Sequence, residues 1–214
     1  MTVANEISHG ERPIHKPNKF VVFWIACSSI VVFWDLSFLF ARPHSFKSMN
    51  GKLAFLWPGY DLYEFIDKVY SVSSWEKKLG FPAAQATMNV VENLVNFLYL
   101  YLAHSDDDAK RASAPVAGLV GVTMTCSKTI LYFLCDYYCG MCESGSNDWR
   151  TWLTLYILPN CLWVLIPGTL AVYFGMDIAD RLKLAAGVSG SPYGYGPASS
   201  TRSRVASSNN KKTK

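Results

Sequence analysis

Charge is scarce in this chain: Lys, Arg, Asp and Glu together make up 17% of its 214 residues, against about a quarter in a typical soluble domain. Histidine is scarcer still, at four residues. His9 and His15 lie in the polar head, His44 follows the first apolar block and His104 ends the second. None is deep in an apolar block, which excludes the common histidine metal sites and a Ser-His-Asp arrangement there. A Gly-rich phosphate loop and a surface of interleaved basic and aromatic residues are also missing, so no nucleic-acid partner is expected. No cleavable signal peptide is evident: a polar segment, 1–19, precedes an apolar block too long for an ordinary leader core. The first block is expected to be its own anchor.

Half of the chain is hydrophobic and 14% is aromatic, and the apolar residues are gathered rather than scattered. Four blocks, 20–40, 83–103, 114–138 and 151–174, approach the length of about 20 residues that a helix needs to cross a roughly 30 Å hydrocarbon layer. The expected fold is an all-α integral membrane protein, a bundle of four transmembrane helices within a domain spanning 20–180. Between the first two blocks lies one long loop, 41–82. From Met176, and certainly over 181–214, a Gly-, Pro-, Ser- and Asn-rich composition reads as a disordered basic tail.

The net charge of +4 matters less than its placement. Arg181, Lys183, Arg202, Arg204, Lys211, Lys212 and Lys214 lie in the tail with no acidic residue among them, which assigns that end to the cytoplasm. An even number of spans returns the N-terminus, with Arg12, Lys16 and Lys19, to the same side. Lys110 and Arg111 then fall in a cytoplasmic loop. The bases of the first loop, Arg42, Lys47, Lys52, Lys68, Lys77 and Lys78, are placed in the lumen, interspersed with Asp61, Glu64, Asp67 and Glu76. Lys211-Lys212-Thr213-Lys214 resembles the dilysine retrieval signal of endoplasmic-reticulum membrane proteins, the alternative being a plain basic end. Cys27, Cys126, Cys135 and Cys161 fall inside spans and read as small core residues. Cys139 and Cys142 form a Cys-x-x-Cys on the short lumenal loop. No second ligand pair follows for zinc, so a disulfide or two idle thiols are expected, with no metal and no cofactor.

Ionisable groups inside a span are costly unless they meet a partner or a cavity, so each marks a candidate site. Four occur here: Asp35, Glu92, Lys128 and Asp136. Gln85, Asn89, Glu92 and Asn96 recur at i, i+4, i+7 and i+11, one face of a helix that is expected to point into the bundle. Glu92 reads as a proton donor or acceptor, or as the counter-ion of a bound amine. The plainer reading of this stripe is an interhelical hydrogen-bond ladder. Thr125, Thr129, Tyr132 and Asp136 repeat the spacing in the third span, and an inward Lys128 would pair with Glu92 or Asp136. Asp35 and Asp136 lie toward span ends, where a cavity wall and an interface are both open readings. In the fourth span Asn160, Trp163 and Pro167 share a face, and Pro159 and Pro167 interrupt the backbone ladder. An indole there can offer its π face to a cation.

The stretch from Cys126 to Asp136, Cys-Ser-Lys-Thr-Ile-Leu-Tyr-Phe-Leu-Cys-Asp, followed by Leu158-Pro-Asn-Cys-Leu-Trp-Val-Leu-Ile-Pro-Gly168, resembles the closing part of the EXPERA domain, found in emopamil-binding protein and the sigma-two receptor. The resemblance covers roughly 20–180 and is most specific from Asn160 to Gly168. It implies a helical bundle with a sterol-sized cavity open toward the membrane. The implied activity moves a sterol double bond from Δ8 to Δ7 by protonation, a tertiary carbocation and loss of a neighbouring proton. On this resemblance Glu92 and Asp35 share the proton work. Trp163, Asn160, Asn89, Asn96, Tyr132 and Asp136 are expected to bind the ligand. The sequence departs from the isomerase pattern at Phe33-Trp34-Asp35-Leu36-Ser37-Phe38-Leu39, where the isomerases carry a His and a Glu one turn apart. There Asp35 resembles the aspartate of the ligand-binding branch. Two readings stay open: a sterol isomerase, and a non-catalytic module that binds or traffics sterols or cationic amphiphiles. Expected partners are a sterol or other hydrophobic small molecule and membrane lipid, with a homodimer left open.

Overall fold

In a computed structural model the described residues are 14–186. His9, Arg12 and the Lys211-Lys212 pair lie outside them, as does all of the tail beyond Ala186. Among the described residues there is no strand. Helix α1 spans Lys19–Phe40, short helices α2 and α3 span Tyr60–Ile66 and Val72–Glu76, α4 spans Gly80–Ala103 and α5 spans Asp108–Tyr138. The last helix, α6, runs over Trp149–Ala185. Side-chain caps start the long elements. Asn18 accepts from the Phe20 amide (2.8 Å), Asp107 from Ala109 (2.9 Å) and Asp148 from Arg150 (3.0 Å), satisfying amides that the first turn leaves unpaired.

Residues Ile14–Ile178 form one compact unit, and the end of α6 from Ala179 belongs to a second. The sequence reading that placed unfolded chain from Met176 is corrected here, since α6 stays helical to Ala185. Leu182 and Lys183 are good helix formers, and the breaking Gly and Pro residues begin only at Gly187.

Helices α1, α5 and α6 are long and apolar enough to cross a membrane. Helix α4 has the length but carries the polar stripe. It packs against both α5 and α1, and the distribution of its side chains is inverted relative to a water-soluble helix. Glu92, Asn93 and Asn96 are buried while Leu94, Phe97 and Leu98 are exposed. The same inversion holds elsewhere: Lys128 is buried in α5, and Phe23 and Phe33 of α1 and Leu165 and Val172 of α6 face outward. Such an apolar outer surface is suited to lipid.

Packing is divided between the two ends of the unit. One cluster joins Val21 and Ile25 of α1, Tyr99 and Ala103 of α4, Val122 of α5 and Phe174 of α6. Here Gly118 permits the approach of α6, because a Cβ at that position would meet Phe174 Cζ at 2.5 Å. The other end is closed by the segment 41–82, which the sequence reading left as one long loop. It folds into α2, α3 and two 3₁₀ turns at Ala54–Leu56 and Lys68–Tyr70. Phe46, Trp57 and Tyr60 of this segment pack on Val32, Leu36, Phe38 and Leu39 of α1. In α6 the stretch Trp152–Ile157 winds as wider π-type turns just ahead of Pro159. Wide turns displace the carbonyl that a proline ring would strike four residues back, so this interruption is absorbed without ending the helix.

Candidate functional site

A cavity of about 480 Å³ lies among α1, α4, α5, α6 and the 41–82 segment, within the roughly 300–1,000 Å³ range of small-molecule sites. Of the residues expected from sequence, Asp35, Asn89, Glu92, Tyr132, Asn160 and Trp163 line it; Asn96 and Asp136 do not.

Asp35 accepts hydrogen bonds on both carboxylate oxygens, from Tyr60 Oη at 2.6 Å and Tyr70 Oη at 3.1 Å. Both donors come from the segment between α1 and α4, and sequence reasoning missed them. Two reciprocal indole bonds clasp that segment to α1: Trp34 Nε1 donates to the Leu56 carbonyl (2.9 Å), and Trp57 Nε1 to the Trp34 carbonyl (2.9 Å). Gly59, at φ +91°, then turns the chain into α2 and so presents Tyr60. Burial first, and then the Asp35 charge, hold the Tyr60 and Tyr70 hydroxyls above the ordinary phenol range. They therefore remain donors at any pH the fold tolerates.

Glu92 is not a solitary acid. Lys128 Nζ lies 2.6 Å from its carboxylate and also donates to Asn89 Oδ1, while Gln85 Nε2 donates to the Lys128 carbonyl (3.1 Å). Three members of the α4 stripe thus converge on one lysine of α5, as the spacing requires of an inward face. In this short, buried pair each residue supplies the counter-charge the other would otherwise lack.

Asp67, another residue not foreseen, lines the same cavity and accepts from Tyr132 Oη at 2.6 Å. Burial pushes its carboxyl up to about 7, against the lowering effect of the Tyr132 and Val69 hydrogen bonds. The cavity walls therefore carry three acids, Asp35, Asp67 and Glu92, and one base, Lys128. With Lys128 matched to Glu92, Asp35 is left with two hydroxyls as its hydrogen-bond partners.

Trp163 lines the cavity while packing edge-on against Trp24, ring centres 5.5 Å apart. Asn160 Nδ2 donates to the Tyr156 carbonyl (2.9 Å) within α6. Asn96, expected at the ligand, instead donates to Ser29 Oγ (3.2 Å) and, with Asn93 bound to the Ser29 carbonyl (3.2 Å), fastens α4 to α1. Asp136 was also expected at the ligand. It receives the amides of Glu143 (2.9 Å) and Ser144 (3.3 Å) and the Ser144 hydroxyl (2.5 Å), so its lone pairs organise the α5–α6 loop. Cys139 and Cys142 in that loop are joined as a disulfide.

The missed residues had a faint signal. Trp57, Tyr60, Tyr63, Tyr70 and Trp75 place five Trp and Tyr residues within 41–82, denser than a solvent loop needs, and Tyr60 and Tyr63 stand at i, i+3. His15 had none: it is buried at the opposite end against Tyr99 and Phe174, with Nδ1 3.2 Å from Asp177. No family model matches the chain, and no curated protein and no solved structure matches it.

Proposed function

We propose that this protein takes a sterol or a cationic amphiphile from the membrane into the 480 Å³ cavity and holds its polar or cationic end at Asp35. The observation that carries this reading is a carboxyl, Asp35, set in the wall of an otherwise largely apolar cavity and held by hydroxyls alone. Asp35 has two neutral hydroxyls as its hydrogen-bond partners, whereas Glu92 already faces an ammonium. An organic cation gains there from the carboxylate and from an indole face at Trp163. The test is binding of a radiolabelled tertiary amine with a rigid apolar body to the purified protein in lipid nanodiscs. Asp35→Asn removes the charge and keeps one tyrosine donor, the other contact surviving only if the amide donates to that hydroxyl oxygen, and should weaken binding by about tenfold to a hundredfold, the loss of a charge-assisted bond. Equal affinity in the variant would remove Asp35 from the site.

A second reading, sterol Δ8–Δ7 isomerisation, is favoured by two carboxyl groups on different walls of one cavity, Asp35 on α1 and Glu92 on α4. A double-bond shift needs a proton delivered and a neighbouring proton removed, and its carbocation is the transient equivalent of a bound amine. In this reading Asp35 and Glu92 exchange protons with the sterol and Trp163 steadies the cation. Expression in a cell lacking its own isomerase should restore Δ7 sterols; unchanged Δ8 sterols in an expressing strain would leave binding alone.

The proposed setting is the endoplasmic-reticulum membrane, with α4 as a fourth span and both termini in the cytoplasm. Support comes from the inverted faces of α4 and from the basic ends of the chain. Tags placed before Met1 and after Lys214 should both be digested by protease added outside sealed microsomes. Protection of either tag would remove a span.

A further inference from the structure

The α5–α6 loop contributes nothing to the cavity chemistry above, yet it is tied to the cavity wall. Its disulfide joins Cys139 and Cys142, both exposed residues that a reductant can reach. The two residues between them are left-handed, Gly140 at φ +75° and Met141 at φ +58°. For methionine this is a sparsely populated conformation that persists only where its surroundings enforce it. From that turn the loop folds back, with the Met141 amide on the Asp136 carbonyl (2.8 Å) and the Gly145 amide on the Met141 carbonyl (2.8 Å).

The same loop reaches the 41–82 segment at two points. The Lys68 amide donates to the Glu143 carbonyl at 3.0 Å, and Asn147 Nδ2 donates to the Ile66 carbonyl at 2.7 Å. Ile66 and Lys68 are the two neighbours of Asp67, so the loop grips the backbone on both sides of a cavity-lining carboxyl.

We propose that Cys139 and Cys142 form a reversible thiol–disulfide site, exchanged by a dithiol, whose oxidised state holds the Asp67 corner of the cavity in place. One thiolate of the dithiol attacks a cysteine sulfur. The Cys139–Cys142 bond breaks, and the other sulfur leaves as a thiolate and takes a proton from water. The second thiolate of the dithiol then resolves the mixed disulfide. The dithiol is oxidised to its disulfide as two electrons pass to the protein, which ends with two thiols. The bond closes a very short loop, so its loss relaxes the turn and leaves the bundle standing, since disulfide stabilisation grows with the length of chain enclosed. Relief of the left-handed Met141 frees the loop, and with it the anchors at Ile66 and Lys68.

The experiment is hydrogen–deuterium exchange on the full chain in nanodiscs, oxidised and after treatment with dithiothreitol, with the thiol count followed by alkylation and intact mass. Reduction should raise exchange over residues 66–70 by about threefold to tenfold, the loss of one or two backbone anchors, and leave α4 unchanged. The double variant Cys139→Ser/Cys142→Ser should show the faster exchange from the start and gain nothing from dithiothreitol. Cys135→Ser, which removes the third thiol lining the adjacent 240 Å³ cavity, should respond as the unmodified chain does. Unchanged exchange over 66–70 in protein whose alkylation proves the bond reduced would overturn the coupling. A bond that resists dithiothreitol in the folded protein would overturn its reversibility. Ligand binding is not the readout, so either result is independent of what the cavity holds.

Discussion

Lys128→Met is expected to destabilise the bundle by about 3–5 kcal/mol, the usual consequence of removing one partner of a buried ion pair. The size of the effect comes from what is left behind. Glu92 is 2% exposed and would lose its only cationic contact among the described residues; it must then take up a proton or stay charged where water does not reach. Asn89 would lose the donor to its side-chain oxygen at the same time. Removing both charges is a different matter: Glu92→Met together with Lys128→Met should recover most of the loss, because a well-packed apolar pair of similar volume avoids the desolvation altogether. The measurement is denaturant or thermal unfolding in detergent micelles. A single variant no weaker than a substitution of an exposed lysine would mean that solvent enters this part of the bundle. The double variant also separates scaffold from chemistry, since undiminished sterol turnover or amine affinity in it would assign Glu92 to structure alone.

The second large effect is on pH. The Asp67 carboxyl stands at about 7 in the folded protein against 3.8 when unperturbed. A carboxyl whose value is raised by folding binds its proton more tightly in the native state. Its contribution to stability is complete below about pH 4 and is lost as the pH rises through 7. The full swing, from the two values, is on the order of 4 kcal/mol. Unfolding temperature should therefore decline between about pH 4 and pH 7, and Asp67→Asn should flatten most of that slope. A wild-type profile that is level across this range would show that water or an unrecognised donor reaches the carboxylate.

The positions of the long helices were legible because long apolar runs need a helix of matching length, and all four apolar blocks fall inside the four long helices, α6 running on past the last of them. The inward stripe was legible for a related reason: Gln85, Asn89 and Glu92 can share a face only on a helix, and three polar groups on one face need a common destination. An inward Lys128 was expected to meet Glu92 or Asp136; that it meets Glu92 depends on how α5 is rotated against α4, which spacing within one helix does not contain. The tyrosines at Asp35 were hidden for another reason. Their approach depends on the indole bonds of Trp34 and Trp57 and on the turn at Gly59, contacts made across more than twenty residues. For Asp136 cavity wall and interface were both open readings, because an acid near a span end looks the same in sequence whether it meets a ligand or the amides of the next loop, which it meets here.

Each of the acids Asp35, Glu92 and Asp136 finds its partner further along the chain. Asp35 waits for Tyr60 and Tyr70, 25 and 35 residues on, Glu92 for Lys128, and Asp136 for Ser144, 8 residues on. During synthesis, at roughly 5–20 residues per second, α1 and α4 are made seconds before the groups that satisfy their carboxyls exist. Glu92 meets its counter-charge only when α5 arrives with its lysine, so the order of translation sets the order in which these contacts can close.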